Sequence, residues 1–228
     1  MHLNNILNDN IGFISLVDSM GNDLTVVNSA RVSFGKRKTE LDNNDEKLIA
    51  YLAKNKHWSP FRHVSFQFHI KAPELVGRQF FKHLVGCEYT FKDTAWNEIS
   101  GRYVVYENEF YIPKILRQQS ASNKQASTNT PVDNSDILLD TYSNTIDLCY
   151  EKYQELVNAG VCKEQARGLL PVSFYTEWYW TASLQAVINF INLRDHDHAQ
   201  WEIRQYAIAM KQLIENVAPI STKILLEM

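Results

Sequence analysis

The chain has few cysteines, no excess of either charge and no long apolar run, and each shortage closes off a class of protein. Its 228 residues include three cysteines, Cys87, Cys149 and Cys162. Their number is odd and no Cys-x-x-Cys pair occurs, so they read as reduced thiols of a cytoplasmic protein. No base stands near any of them in sequence, which argues against a cysteine nucleophile. The 23 basic residues are balanced by 26 acidic ones, a net charge of −3. That excludes the broad basic field of a nucleic-acid binder, and an anionic ligand would need a local basic pocket instead. No apolar run is long enough to span a membrane. The first residues, Met-His-Leu-Asn-Asn, lack a basic region followed by an apolar stretch, so neither a signal peptide nor a membrane partner is expected. Internal repeats and a clear linker are also missing, which points to a single domain over residues 1–228. A hydrophobic fraction of 45% is ordinary for a globular chain and sufficient for a substantial core.

Hydrophobic patterning then divides the chain. Residues 11–17 suit a strand, and Gly21-Asn22-Asp23 marks a turn. Residues 24–34 predict a helix, 35–46 a polar loop and 47–54 a short amphipathic helix. Pro60 fixes a turn. Val64, Phe66, Phe68 and Ile70 alternate with His63, Ser65, Gln67 and His69, a half-buried strand with both histidines on its polar face. Pro73 opens a helix at a first-turn position. Residues 102–111, rich in Tyr, Val and Phe, predict a strand. Residues 118–135 carry almost no apolar side chain and predict a mobile surface loop. A long helix follows over 136–158, with Ile137, Leu138, Leu148, Cys149, Leu156 and Val157 inward and Gly160 as its cap. Residues 161–171 form a short helix stopped by Pro171, and Tyr175 to Trp180 an aromatic piece of core. Residues 183–193 predict a helix with Leu184, Val187, Ile188 and Ile191 inward. Asp197 and Gln200 have capping-box spacing for a final helix ending near Val217. The run Asp195-His196-Asp197-His198 suggests a metal only superficially. Alternate residues of a turn diverge and no second ligand cluster accompanies them, so capping and ion pairs suffice.

Residues 78–103 carry the densest chemistry. Leu75, Phe80, Phe81, Leu84 and Val85 form an apolar stripe at near-helical spacing. Arg78 with Lys82, and Gln79 with His83, make two adjacent polar rows. The polar turn Asn97-Glu98-Ile99-Ser100-Gly101-Arg102 follows. Amides, a hydroxyl and a guanidinium crowded together suit a phosphate dianion, and Arg grips one bidentately. Gly101 reads as a turn residue. An amphipathic helix with a solvated face and a plain surface turn fits the same residues.

This stretch resembles the signature of the flavin-dependent thymidylate synthases, an Arg-His-Arg triplet followed by Asn-Glu-x-Ser-x-Arg. Asn97 to Arg102 match the second half fully. The triplet reads Lys82-His83-Leu84, and the spacer of residues 85–96 is longer than usual. Ala166-Arg167 with Leu169-Leu170-Pro171 is similar to the family's A-R-x-x-L-P segment. Asn189 to Arg194 followed by His198 to Ile203 is similar to its downstream motif, and His57-Trp58-Ser59-Pro60-Phe61 to its His-x-Ser/Thr-Pro-Phe run. On its own, His57 reads first as a structural histidine before a proline turn.

The resemblance implies an α+β fold, an antiparallel-type central sheet flanked by helices, with active sites between subunits of a homotetramer. It implies conversion of dUMP to dTMP, with methylenetetrahydrofolate as carbon donor and FAD, reduced by NADPH, as hydride source. Arg194 is the implied catalytic residue, lying against the uracil. Gln79, Lys82, Glu98, Ile99, Ser100, Gly101, Arg102 and Arg167 are implied to join it around dUMP. Ser59, Lys82, His83, Leu84, Glu98 and Asn189 are implied on FAD, with His57 nearby. Ser183 and Gln185 stand where the family places Asn and Arg on the adenine side of the cofactor, and neither supplies charge. Lys82 keeps the cation of the triplet without the fork geometry. Lys92 is a candidate to replace what Leu84 loses. Alternatives are a nucleotide- and flavin-binding paralogue without activity, an enzyme methylating uracil in RNA, which the acidic balance disfavours, and a purely structural helical protein.

Overall fold

The computed structural model describes residues 1–83 and 95–228. Leu84, Cys87 and Lys92 lie outside the described residues. In chain order the strands are β1 (His2–Asn4), β2 (Phe13–Met20), β3 (Ser65–Pro73), β4 (Trp96–Glu98), β5 (Arg117–Gln119), β6 (Ser127–Pro131) and β7 (Tyr175–Ser183). The helices are α1 (Asp23–Arg31), α2 (Asn43–Lys54), α3 (Glu74–Phe80), α4 (Ser135–Asn158), α5 (Lys163–Ala166), α6 (Leu184–Arg194), α7 (Trp201–Glu215) and α8 (Pro219–Leu226). This is the expected mixture of helix and sheet.

Five strands form an antiparallel sheet in the order β1-β2-β3-β7-β4. The period-two alternation places Phe66, Phe68, Ile70 and Ala72 of β3 on one fully buried face. Trp178, Trp180 and Ala182 of β7 and Ile14 and Leu16 of β2 join them in one core. Burying such a side chain contributes roughly 1.5–3 kcal/mol each, so the sheet face and the helices that cover it stabilise each other. On the opposite face His69 stacks on Tyr179, ring centroids 4.4 Å apart, and bonds Glu177 at 2.6 Å. His63 is not on this face: it belongs to the single 3-10 turn Ser59–His63 that Pro60 enforces before the strand.

The helix layer is tied to the sheet by aromatic packing. Phe80 of α3 stacks on Phe190 of α6 at 4.1 Å and meets Trp178 edge-on at 5.6 Å. Asp23, buried in α1, accepts hydrogen bonds from the Ile220 and Ser221 amides, closing the first turn of α8 with a negative charge.

Several boundaries differ from expectation. The helix from residue 24 stops at Arg31 and continues as a 3-10 turn to Phe34, where Gly35 takes φ 64°. The short helix expected from Lys47 begins at Asn43, because Asp42 and Asp45 form a reciprocal capping box that the polar composition disguised. Pro73 stands just outside α3, and α3 ends at Phe80, so His83 lies beyond the helix. Residues 102–111 form no strand. They run as a turn and extended segment whose one bridge joins Phe110 to Phe174. The loop expected over 118–135 contains the hairpin β5–β6, held by backbone pairing and by Gln119, whose side-chain amide donates to the Asn123, Lys124 and Ala126 carbonyls.

The inner face of α4 is also corrected. Ile137, Leu138 and Leu148 are exposed, whereas Ile146 and Tyr153 are buried. These two form a second cluster with Tyr106, Phe110, Ala166 and Leu170. Gly160 does follow α4 with φ 86°. Asp197 does not cap α7, which opens at Trp201 and ends at Glu215. The carboxylate instead pairs with Arg204 at 2.7 Å, with Asp195 on the same guanidinium at 3.3 Å. Pro219 then starts α8 as a separate helix.

Candidate functional site

The expected site residues fall into three groups in one protomer. The first lies where α3 ends, α6 ends and α7 begins. Arg194, the last residue of α6, donates from Nε to His83 Nε2 at 2.9 Å. Burial, with Arg194 beside it, pulls the His83 ring down to about 4. The imidazole is therefore neutral near pH 7, with Nε2 as acceptor, and Arg194 keeps its charge. Burial also lowers Arg194. Gln79, one turn back in α3, donates to the Gln200 side-chain oxygen at 2.7 Å. Gln200 immediately precedes α7, inside the His198 to Ile203 segment.

The second group is built on the polar turn. Glu98 ends β4, and its carboxylate accepts from the Thr176 hydroxyl at 2.6 Å and the Trp96 indole at 3.3 Å. The Ile99 amide donates to the Glu177 carbonyl at 2.9 Å, fixing the turn to β7. Ser100 Oγ accepts from the Arg102 amide at 3.3 Å. Gly101 is needed for a reason other than a left-handed backbone. A Cβ there would stand 2.3 Å from the Tyr106 ring and 3.1 Å from Arg167 Cδ. The glycine lets the Arg167 side chain close onto the turn, so two motifs about 65 residues apart in sequence (167 − 102) meet. Arg102 pairs with Glu164, just before Arg167, at 3.4 Å. Burial raises Tyr106, and the Glu98 and Glu74 carboxylates add to this while the Gly101 amide opposes it. Glu74 is raised by burial and by Glu98.

An open cleft of about 480 Å³ runs along α3 beside Glu98, lined by Glu74, Gly77, Arg78, Phe81, Lys82 and Glu98. Lys82 is exposed on its wall. Arg194 contacts His83 of the first group, whereas Arg102 and Arg167 belong to the second.

The third group surrounds the start of α6. Ser183 caps the helix, accepting from the Ala186 amide at 3.3 Å. Gln185 is 6% exposed and accepts from Arg62 Nε at 2.6 Å. Ser59 opens the 3-10 turn that ends with Arg62 and His63, and His57 stands exposed just before it. Asn189, half-buried, lies one turn beyond Gln185. Leu84 is outside the described residues.

Sequence reading missed four residues of these groups. Gln200 lay inside a matched motif. Arg62 lies one place beyond one. Tyr106 was hidden in a segment read as a strand, and Glu74 had no signal beyond its proximity to Pro73.

Residues 15–220 match the family described as thymidylate synthase complementing protein. A flavin-dependent thymidylate synthase of Thermosipho africanus is 41% identical over 211 residues, 91% of this chain and 88% of that protein. One from Thermus thermophilus is 41% identical over 92% of this chain and 74% of its own length. Among solved structures, the UMP/dUMP methylase PolB from Streptomyces cacaoi bound with 5-Br dUMP superposes with a TM-score of 0.81 at 30% identity, covering 93% of this chain and 94% of that one. With the matched region reaching from β2 into α8, the chain belongs to the thymidylate synthase complementing protein family, that of the flavin-dependent thymidylate synthases.

Proposed function

We propose that this protein converts dUMP to dTMP, taking the carbon from methylenetetrahydrofolate and using FAD that NADPH reduces. The observation that carries this is the closure of Arg167 over Gly101 beside Ser100 and Arg102. A guanidinium, a hydroxyl and backbone amides converge there with a second guanidinium alongside, a donor set for a nucleoside monophosphate. The donors elsewhere fit a flavin dinucleotide. Ser59 offers a hydroxyl, Asn189 an amide, and the buried Gln185 side chain holds a guanidinium at the edge of the same patch.

When bound, the reduced flavin supplies the hydride. The residues bind and polarise. Arg167 and Arg102 neutralise the phosphate. Arg194 lies against the polar edge of the uracil and stabilises negative charge developing on its carbonyl oxygen, which makes the neighbouring ring carbon more nucleophilic. His83 is a positioning residue for Arg194. Being neutral, it orients the guanidinium by accepting from Nε without adding a second charge. Glu98, fixed by Thr176, holds the turn and faces the cleft shared by nucleotide and cofactor.

A homotetramer with sites between subunits belongs to the same proposal. The outward apolar residues of α4 favour it. A cytoplasmic location fits the reduced-thiol reading, and among the described residues no helix is long and apolar enough to cross a membrane.

The test is dTMP formation and loss of the C5 proton of dUMP with folate, NADPH and FAD present. Arg194→Ala should lower dTMP formation by at least a hundredfold, the scale of removing one preorganised charge-stabilising donor, with flavin still bound. An Arg194→Ala rate near wild type would refute its role. Wild-type protein that binds flavin and makes no dTMP would be the inactive paralogue.

A further inference from the structure

Building on that function, we propose that Arg62, held by Gln185, is the cation that grips the phosphates of the flavin dinucleotide in this chain. Gln185 carries no charge, so the cation of this patch is Arg62. Gln185 lies in the first turn of α6, nine-tenths buried, with its oxygen 2.6 Å from Arg62 Nε. The Nε bond fixes the plane of the guanidinium and uses only one of its five donor hydrogens, so both terminal nitrogens remain for a ligand. The partner is a neutral amide. Among the described residues no carboxylate pairs with Arg62, so its charge is oriented and not cancelled. That is unlike Arg31, Arg102, Arg117 and Arg204, each of which meets a carboxylate.

The position is right as well. Ser59 and Arg62 are three apart on a 3-10 turn, where side chains at that spacing eclipse. A hydroxyl and a forked cation therefore rise from one side of the turn, against the start of α6. An arginine at position 185 would face Arg62 at hydrogen-bond range and the two would repel. The cation is carried by the turn, and the helix supplies an amide that aims it.

The test uses the full-length apoprotein titrated with FAD and, separately, with riboflavin, which lacks phosphate. Arg62→Gln should weaken FAD binding about 10- to 100-fold, as expected for loss of a charge-assisted bidentate contact. It should also flatten the salt dependence of FAD affinity and leave riboflavin affinity within about twofold of wild type, since the lost contact is to phosphate. Gln185→Glu, which neutralises Arg62 in place, should produce the same pattern. The double variant Arg62→Gln with Gln185→Arg, which places the cation on the helix, should recover most of the loss. Equal FAD affinity in wild type and Arg62→Gln overturns this proposal alone. A parallel loss of riboflavin affinity also overturns it, because the residue would then be structural. Wild-type protein that binds no FAD overturns the flavin-dependent function and this proposal together.

Discussion

At the scale of single residues, the pairing of His83 with Arg194 makes the chemistry depend on pH. The imidazole titrates near pH 6.5 in an unfolded chain, and burial with the adjacent guanidinium brings it to about 4 when folded. Between those values the unfolded chain takes up a proton that the folded one refuses, so the contribution to stability is complete above pH 6.5 and is lost as pH falls toward 4. A ring titration by NMR should show a midpoint near 4, with the proton on Nδ1 at neutral pH because Nε2 accepts from Arg194. A midpoint near 6.5 would mean that the two side chains are apart. None of this was legible in the sequence, which gave His83 and Arg194 as separate motif members. Their contact depends on how α3 and α6 pack through Phe80 and Phe190. Gly101 shows the same limit: the sequence marks the glycine, but only the fold shows that Tyr106 and Arg167 crowd it.

At the scale of elements, the strength of a pattern decided what could be read. β3 and α6 were plain because one face of each is continuously apolar. Residues 102–111 look like a strand because Tyr, Val and Phe favour strands, yet Tyr103, Val104 and Val105 are exposed and only Tyr106 and Phe110 pack against α4. The contact is specific: the Tyr106 amide donates to the Tyr153 hydroxyl at 3.0 Å, and the Tyr150 hydroxyl bonds the Tyr106 carbonyl at 3.3 Å. α4 thus works as a splint for the turn that carries Gly101. Tyr153→Phe strands a buried amide and should cost about 1–3 kcal/mol in urea unfolding. Amide exchange should speed up at Tyr106, and dUMP binding should weaken because the turn loosens. Unchanged exchange at Tyr106 would show that the two elements are not coupled. The hairpin β5–β6 escaped notice for the opposite reason, since its pairing is carried by the backbone and its side chains are polar.

For the whole molecule, the errors in α4 bear on assembly. The sequence has apolar side chains on two faces of this helix, and a one-protomer core needs only one of them. Ile146 and Tyr153 take the inner face, leaving Ile137 66% and Leu148 53% exposed. Those two are 11 residues apart, about three helical turns, and so share a face. Apolar residues aligned on an outer face lose free energy in water and are expected to be covered. In the homotetramer proposed above, a second copy of this chain would cover them. Light scattering coupled to size exclusion should therefore give the mass of four chains. Ile137→Asp combined with Leu148→Asp should reduce that mass without loss of helical signal, since neither side chain supports the protomer core. If the same variant also loses dTMP formation while keeping its fold, the sites are shared between subunits. A wild-type mass of one chain, with full activity, would place a complete site inside each protomer and end the case for shared sites.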